Sequence, residues 1–129
     1  MSRRQTISVD FDGVLHSYRT PWINAHTIPD EPVSGAIEWL YRLVQDFDVV
    51  IQSTRCKTWR GRMAIRAWLK KHAGTIWYES MGMNGIEGVR LSYKKLPAIV
   101  YIDDRAYRLD GVTFPSNKQL RAMLPWGRP

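Results

Sequence analysis

The sequence predicts an α/β protein with a mostly parallel central sheet. Short apolar runs alternate along the chain with amphipathic segments, which is the order of strands and helices in layered α/β folds. The apolar runs also end in polar residues, as strands do where an open parallel sheet binds its ligands. The chain has 129 residues, so we expect one domain over residues 1–129.

The first half of the chain begins with a predicted strand over residues 6–10. Residues 13–32 contain three prolines and are expected to be irregular and too polar for the core. Residues 33–46 are predicted to be a helix, with Ser34 as a candidate N-cap. Its apolar stripe consists of Ile37, Leu40, Tyr41 and Val44.

The middle of the chain adds a strand over residues 47–53, whose Val-Val-Ile run suits burial on both faces. A helix is predicted over residues 58–72, and Gly74 stands where a helix stop belongs. Residues 75–78 are a further strand candidate. Residues 79–94 are rich in glycine and are expected to be mostly loop.

The last third contains the clearest strand, residues 98–104, which is apolar until it ends in two aspartates. Residues 111–114 are a candidate for one more strand. A final helix is predicted from Ser116 to about Leu124.

Composition limits the cellular compartment and the kinds of partner that we expect. The net charge of +7 and the pI of about 9.9 favour anionic partners such as phosphates, nucleotides or nucleic acid. Cys56 is the only cysteine, so an intrachain disulfide is excluded and a reducing compartment fits. No apolar run suggests a signal peptide or a membrane span, so we expect a cytoplasmic protein without a membrane partner.

Polar residues stand at four positions along the chain where a parallel sheet would present them at one edge. They are Asp10 and Asp12; Ser53, Thr54 and Arg55; Lys95, with Lys94 beside it; and Asp103 and Asp104. Four carboxylates cannot share a small site unless cations neutralise them or protons remain bound. A hard cation with oxygen ligands is the natural partner, and Mg²⁺ typically combines carboxylates with a substrate phosphate.

Each position also has a plain structural explanation. Asp12–Gly13 is a common turn pair, and Ser53, Thr54, Asp103 and Asp104 are ordinary capping residues. Lysines are usually solvated. A short motif taken alone is weak support for a function, so the argument depends on the four positions together.

The stretches "DFDGV", "VVIQST" and "VYIDD", with Lys95 between the last two, resemble the four motifs of the haloacid dehalogenase (HAD) superfamily of phosphotransferases. "DFDGVLHSY", "EPVSGAIEWL" and "YIDDRAYR" are similar to small phage and bacterial predicted phosphatases of that superfamily. The resemblance covers nearly the whole chain. It implies a single Rossmann-like three-layer domain without a separate cap domain.

The resemblance also implies a role for each position. Asp10 matches the nucleophile and Asp12 the general acid/base, for which we expect neighbours to raise its proton affinity. Ser53 matches the phosphate-binding hydroxyl, with Thr54 competing, and Lys95 matches the phosphate-neutralising lysine, with Lys94 as the alternative. Asp103 and Asp104 match the acidic pair that binds Mg²⁺ together with Asp10 and the main-chain carbonyl of Asp12. Arg55 is a further candidate for phosphate binding.

The expected function is therefore that of a Mg²⁺-dependent phosphomonoester hydrolase acting through an aspartyl-phosphate. The insertions at 13–32 and 79–94 are too short for a cap domain, which leaves an open site or a small flap. An open site and a basic chain suggest nucleotides or nucleic acid ends as substrates. The alternative is a non-catalytic protein of HAD-like fold that binds phosphate or nucleic acid; the basic residues Arg62, Arg66 and Lys70 either contact such a partner or form a solvated helix face.

Overall fold

A computed structural model describes residues 4–80 and 89–123 of the chain. Within these residues the protein is a mixed α/β structure with one four-stranded sheet, in which every strand pair is parallel. The strands are β1 (Thr6–Asp10), β2 (Asp48–Gln52), β3 (Val89–Ser92) and β4 (Val100–Ile102), in the spatial order β3-β2-β1-β4. The predicted α/β class and parallel sheet are confirmed at this level.

The register of the sheet brings the strand ends together. Asp10 at the end of β1 is paired with Gln52 at the end of β2. On the other side of β1, Val9 is paired with Ile102, so Asp103 and Asp104 follow directly beyond that pair. Parallel pairing thus gathers the polar residues that end these strands at one edge.

The central strands are buried because their apolar side chains meet helices. Val49, Val50 and Ile51 are all fully buried, and since successive strand residues point to opposite faces, both faces of β2 are covered. The core combines these strands with apolar residues of two helices, α1 (Ala36–Asp46) and α2 (Trp59–Ala73).

The two long helices occur where the sequence predicts them, with one different cap. Gly35, at φ +81°, is the N-cap of α1, and no side chain caps this helix, so the Ser34 prediction is wrong. Thr58 caps α2 through its side chain, which accepts a hydrogen bond from the backbone N–H of Gly61. The helix ends at Gly74 as expected.

Two short strand predictions are wrong. Residues 75–78 belong to a short helix, α3 (Thr75–Ser80). The prediction fails because a brief apolar run does not distinguish a strand from a buried helical segment. Residues 111–114 form no strand. There the Asp110 carboxylate accepts hydrogen bonds from the backbone N–H groups of Val112 and Thr113 and makes a turn.

The remaining segments are partly as expected. Residues 79–94 contain β3, and residues 81–88 lie outside the described part of the chain. The last helix, α4 (Asn117–Ala122), begins with a capping box formed by Ser116 and Gln119; its predicted end at Leu124 lies outside the described residues. Within residues 4–80 and 89–123, no helix combines the length and the apolar character needed to cross a bilayer.

The segment 13–32 is irregular as predicted, but it is not excluded from the interior. Leu15 and His16 are both 0% exposed. Trp68 of α2 donates its indole N–H to the backbone carbonyl of Asp30 at 2.9 Å. This loop therefore contributes to the core, and its polar composition misleads because both ring nitrogens of His16 have hydrogen-bond partners inside the protein.

Candidate functional site

Three carboxylates converge at the carboxyl edge of the sheet and form what we call the acidic cluster: Asp10, Asp103 and Asp104. One oxygen of each carboxylate lies within 4.8 Å of the others. The cluster follows from the register, because β1 and β4 are adjacent and end at the same level. Three carboxylate oxygens at this spacing could hold one hard divalent cation.

Asp104 is held against the chain that leaves β1. Its Oδ1 atom is buried and has no hydrogen-bond partner among the described residues. Gly13, at φ +86°, passes so close that a Cβ at this position would overlap the Asp104 carboxylate. Burial of a polar oxygen without a hydrogen-bond partner costs free energy, because the atom loses its hydration without replacement. A cation bound to this oxygen and to the two neighbouring carboxylates would supply the missing partner.

The acidic cluster disfavours negative charge when no cation is bound. Burial, and next the charge of Asp103, raise the pKa of Asp10 from 3.8 to about 7, although the backbone N–H of Phe11 donates to this carboxylate. Burial and then Asp103 also raise the pKa of Asp104. A cation would take the place of the proton on Asp10, because it supplies positive charge beside the clustered carboxylates.

Asp12 faces a different environment and is not part of the acidic cluster. Arg55 Nε donates to its two carboxylate oxygens at 2.9 and 3.2 Å, and His16 Nδ1 lies 2.8 Å from Oδ1. Burial would raise the pKa of Asp12, but the hydrogen bonds from His16 and Arg55 and the charge of Arg55 lower it below its ordinary value. The expectation that neighbours raise its proton affinity is therefore wrong for the resting protein.

His16 links Asp12 to the loop behind it. Its Nε2 accepts a hydrogen bond from the backbone N–H of Asp30 at 3.2 Å, which leaves Nδ1 as the nitrogen that donates to Asp12. The hydrogen-bond pattern thus assigns the ring tautomer. As part of the loop 13–32, this histidine is expected from the sequence to lie outside the core; its position four residues after Asp12 is the sequence feature that could have indicated the contact.

Arg55 is an internal residue whose hydrogen bonds go to the protein's own groups, and its role as a phosphate ligand stays a prediction. It is 1% exposed, and beyond its bond to Asp12 its Nη1 donates to the backbone carbonyls of Asn24, Ala25 and Thr27 at 2.9 to 3.2 Å. Trp22 covers the guanidinium, with 4.5 Å from Cζ to the ring centroid. These Nε and Nη1 donors hold the loop to the strand end.

Ser53 and Thr54 reach the same small cavity as Asp10. This cavity has a volume of about 140 Å³, and Ser8, Gln52, Tyr93 and Asp103 are also in its wall. Ser53 Oγ accepts from the backbone N–H of Arg55 at 3.2 Å and begins the 3₁₀ helix Thr54–Lys57, while Thr54 is exposed. Both hydroxyl residues therefore remain candidates to contact a phosphate beside Asp10.

Lys95 lies beside this site and Lys94 does not share its walls. Lys95 lines an adjoining groove of about 680 Å³ together with Gln52, Tyr101 and Asp103, three residues that also line the small cavity. Its ammonium lies 4.6 Å from the centroid of the Tyr101 ring. The Lys94 ammonium is instead 5.8 Å from the Tyr93 ring centroid, and Lys94 lines neither cavity.

The basic helix residues differ in their exposure. Arg62 donates to the backbone carbonyl of Cys56 at 2.7 Å, whereas Lys70 is exposed.

Burial raises the pKa of the Cys56 thiol to about 11, so this cysteine is an inert packing residue at neutral pH.

Comparisons with protein-family models, with curated proteins and with solved structures found no match for this chain. Function therefore has to be inferred from the residues of the site and their geometry. Of the residues that the sequence singles out, the structure brings Asp10, Asp103, Asp104, Ser53 and Thr54 to one place, with Lys95 beside them. Asp12 is not in that group and forms an ion pair with Arg55, with 2.9 Å between Nε and Oδ2.

Proposed function

We propose that the protein is a Mg²⁺-dependent phosphomonoester hydrolase of the HAD type, on a Rossmann-like domain without a cap. The observation that carries this proposal is the convergence of Asp10 with Asp103 and Asp104 beside two hydroxyl residues at the carboxyl edge of a parallel sheet. Carboxylates, hydroxyls and a nearby lysine are the groups that bind a cation and a phosphoryl group together. The resemblance of the four motifs assigns a role to each of them.

Asp10 is the nucleophile in this proposal. One of its carboxylate oxygens attacks phosphorus, and the bond between phosphorus and the leaving oxygen breaks as that oxygen takes a proton. Water then attacks the aspartyl-phosphate, which releases inorganic phosphate and restores the carboxylate. A covalent intermediate divides one difficult displacement into two easier ones.

Charge stabilisation comes from the residues around Asp10. Asp10, Asp103 and Asp104 would hold a Mg²⁺ ion, which neutralises charge on the phosphoryl group when it is bound. Ser53 or Thr54 donates a hydrogen bond to a phosphoryl oxygen, and the Lys95 ammonium approaches from the adjoining groove. Phosphoryl transfer needs this kind of positioning and charge compensation above all.

Asp12 fits the second step more directly than the first. Arg55 and His16 hold it as a carboxylate in the resting protein, and a carboxylate can accept the proton of the attacking water. Donation of a proton to the leaving oxygen requires that Asp12 take up a proton after the substrate binds. The same ion pair favours one alternative function, a protein that binds phosphate without turning it over.

Turnover of p-nitrophenyl phosphate with Mg²⁺ and with EDTA distinguishes the two functions. We expect metal-dependent turnover that falls by several orders of magnitude in Asp10→Asn, since the amide cannot form the acyl-phosphate. Asp46→Asn is the matched control, because Asp46 is an exposed aspartate at the end of α1. A metal-independent rate, or no turnover across a broad panel of phosphomonoesters, would support the binding protein instead.

A further inference from the structure

The groove beside the acidic cluster has a composition that the proposed chemistry at Asp10 does not explain. Its volume of about 680 Å³ is in the range of sites that enclose a whole small ligand, roughly 300–1,000 Å³. It joins the small cavity through the residues they share, Gln52, Tyr101 and Asp103. A phosphoryl group at Asp10 would therefore have its leaving group directed toward this groove or toward solvent.

The groove has cationic side chains and an amide along its walls. Lys95 and Arg108 supply the positive charge, and Gln52 supplies both a donor and an acceptor. Among the described residues neither cation forms an ion pair with a carboxylate. This charge complements a phosphate monoester, which carries close to two negative charges at neutral pH.

Apart from the carboxylate of Asp103, the remaining wall is apolar and aromatic. Tyr107 is 46% exposed, and Ile99 and Leu109 in the same groove are exposed to a similar degree. Among the described residues no ring stacks on Tyr107. Tyr101 is fixed, because its hydroxyl donates to the backbone carbonyl of Leu96 at 2.7 Å and its ring lies against the Lys95 ammonium.

An exposed aromatic ring within an apolar wall, next to cations that complement a phosphate, suits a flat aromatic group joined to a phosphate. A sugar phosphate offers only the small C–H face of its ring to Tyr107, Ile99 and Leu109. A base offers a larger, flat aromatic face that stacks on an aromatic side chain. The volume also leaves room for the sugar that separates a base from its phosphate.

We propose that this groove is the leaving-group subsite and that it takes the nucleoside of a nucleoside monophosphate, with the base against Tyr107. This inference rests on the proposed function for the position of the phosphate. The same chemistry occurs in a free mononucleotide and in the phosphorylated end of a nucleic acid strand.

The first test compares Tyr107→Leu with the unchanged protein on two substrates. The substitution keeps an apolar side chain and removes the ring. We expect kcat/KM for nucleoside monophosphates to fall about tenfold, which is the loss of one stacking contact, and kcat/KM for glycerol phosphate to stay the same. Phe114→Leu is the control, because Phe114 is 77% exposed and lines neither cavity.

The second test measures binding without turnover. In the Asp10→Asn protein with Mg²⁺, equilibrium dialysis should give tighter binding of a nucleoside monophosphate than of ribose 5-phosphate, and Tyr107→Leu in that background should remove the difference. If no phosphomonoester is hydrolysed but this binding difference is found, the proposed function fails and the nucleotide subsite stands.

Other outcomes would overturn the subsite. One is an equal fall in kcat/KM for nucleotides and for glycerol phosphate in Tyr107→Leu. Another is preferred hydrolysis of a phosphotyrosine peptide or of a sugar phosphate. Both outcomes leave the phosphatase proposal intact. A comparison of mononucleotides with 5′- and 3′-phosphorylated oligonucleotides distinguishes the two sources. A higher kcat/KM for mononucleotides assigns the subsite to free nucleotides, and a higher kcat/KM for oligonucleotides assigns it to nucleic acid ends. Either result supports the subsite.

Discussion

Asp10 and Asp12 are separated by a single residue, yet their carboxyl groups have opposite pKa shifts. Asp10 is partly buried beside two other carboxylates, so its charged form is disfavoured. Asp12 lies just beyond the strand end, and it faces the buried guanidinium of Arg55 and the imidazole N–H of His16. The close pair of aspartates is therefore compatible with folding because each one has a different set of neighbours.

The Arg55 side chain gives a prediction about stability. Arg55→Gln removes the partner of Asp12 and leaves the loop carbonyls without donors, so we expect a loss of about 3–5 kcal/mol in the free energy of unfolding, as for other broken buried ion pairs. Arg19→Gln is the control. It removes an exposed ion pair with Glu31 at 3.2 Å, for which the expected loss is below about 1 kcal/mol.

Urea unfolding of both variants measures the difference. Equal stability of Arg55→Gln and Arg19→Gln would show that Arg55 does not hold the loop to β1.

The raised pKa of Asp10 predicts how stability depends on pH in the metal-free protein. Between pH 3.8 and about pH 7 the unfolded chain releases the Asp10 proton while the folded protein keeps it. The folded state then binds more protons than the unfolded state, so the contribution of Asp10 to stability is present below pH 3.8 and is lost as the pH rises toward 7.

Asp10→Asn isolates this contribution. With EDTA, the stability of the unchanged protein relative to Asp10→Asn should fall as the pH rises from 4 to 7, since the amide does not titrate. Mg²⁺ should flatten the difference because it replaces the proton. A difference that is independent of pH without metal would contradict the crowding of charge in the acidic cluster.

At the scale of elements, the sequence predicts the parts whose pattern is local. β1, β2, α1 and α2 are found at or near their predicted positions because apolar periodicity and turn residues are sufficient for them. The short segments 75–78 and 111–114 are mispredicted, since for four residues tertiary contacts outweigh propensity. Thr75–Ser80 forms a helix in which Trp77 stacks on Tyr41 of α1 at 4.7 Å between centroids.

The acidic cluster could be predicted and the Arg55 contacts could not. The cluster follows from the rule that parallel strands end at one edge, so Asp103 reaches Asp10 wherever β4 pairs with β1. The role of Arg55 depends on carbonyl groups at residues 24, 25 and 27. Their positions come from an irregular loop, and no periodicity in the sequence specifies them.

Two glycines with similar backbone angles give a prediction about how the β1 loop supports the cluster. Gly13 and Gly35 have φ values of +86° and +81°, but a Cβ would meet the Asp104 carboxylate at Gly13 and nothing within 4 Å at Gly35. Gly35→Ala should lose only about 1–2 kcal/mol of stability from the left-handed backbone. Gly13→Ala should lose more, and it should displace Asp104 and weaken metal binding.

Thermal melting with and without Mg²⁺ measures both effects for each variant. The expected result is a reduced Mg²⁺ response in Gly13→Ala and a normal response in Gly35→Ala. A normal response in both variants would mean that the approach of Gly13 to Asp104 has no part in the cation site.

At the scale of the whole molecule, Mg²⁺ should stabilise the fold despite the net charge of +7. A cation that binds only the folded state raises the melting temperature by mass action, and the acidic cluster is a local concentration of negative charge on a basic protein. The melting temperature should rise over millimolar Mg²⁺, and Asp103→Asn or Asp104→Asn should reduce the rise. A melting curve that Mg²⁺ does not change would contradict the site. So would a rise in both variants as large as that of the unchanged protein.

The strand order also determines when the site can exist during synthesis. β1 pairs with β4, and Ile7 is paired with Val100, so one edge of β1 has no partner until β4, the last strand among the described residues, has left the ribosome. Pairing between such distant segments is a late and slow step in folding. A nascent chain that has already formed β1, β2 and β3 therefore carries an open strand edge and a solitary Asp10. Metal binding cannot assist its folding until Asp103 and Asp104 arrive.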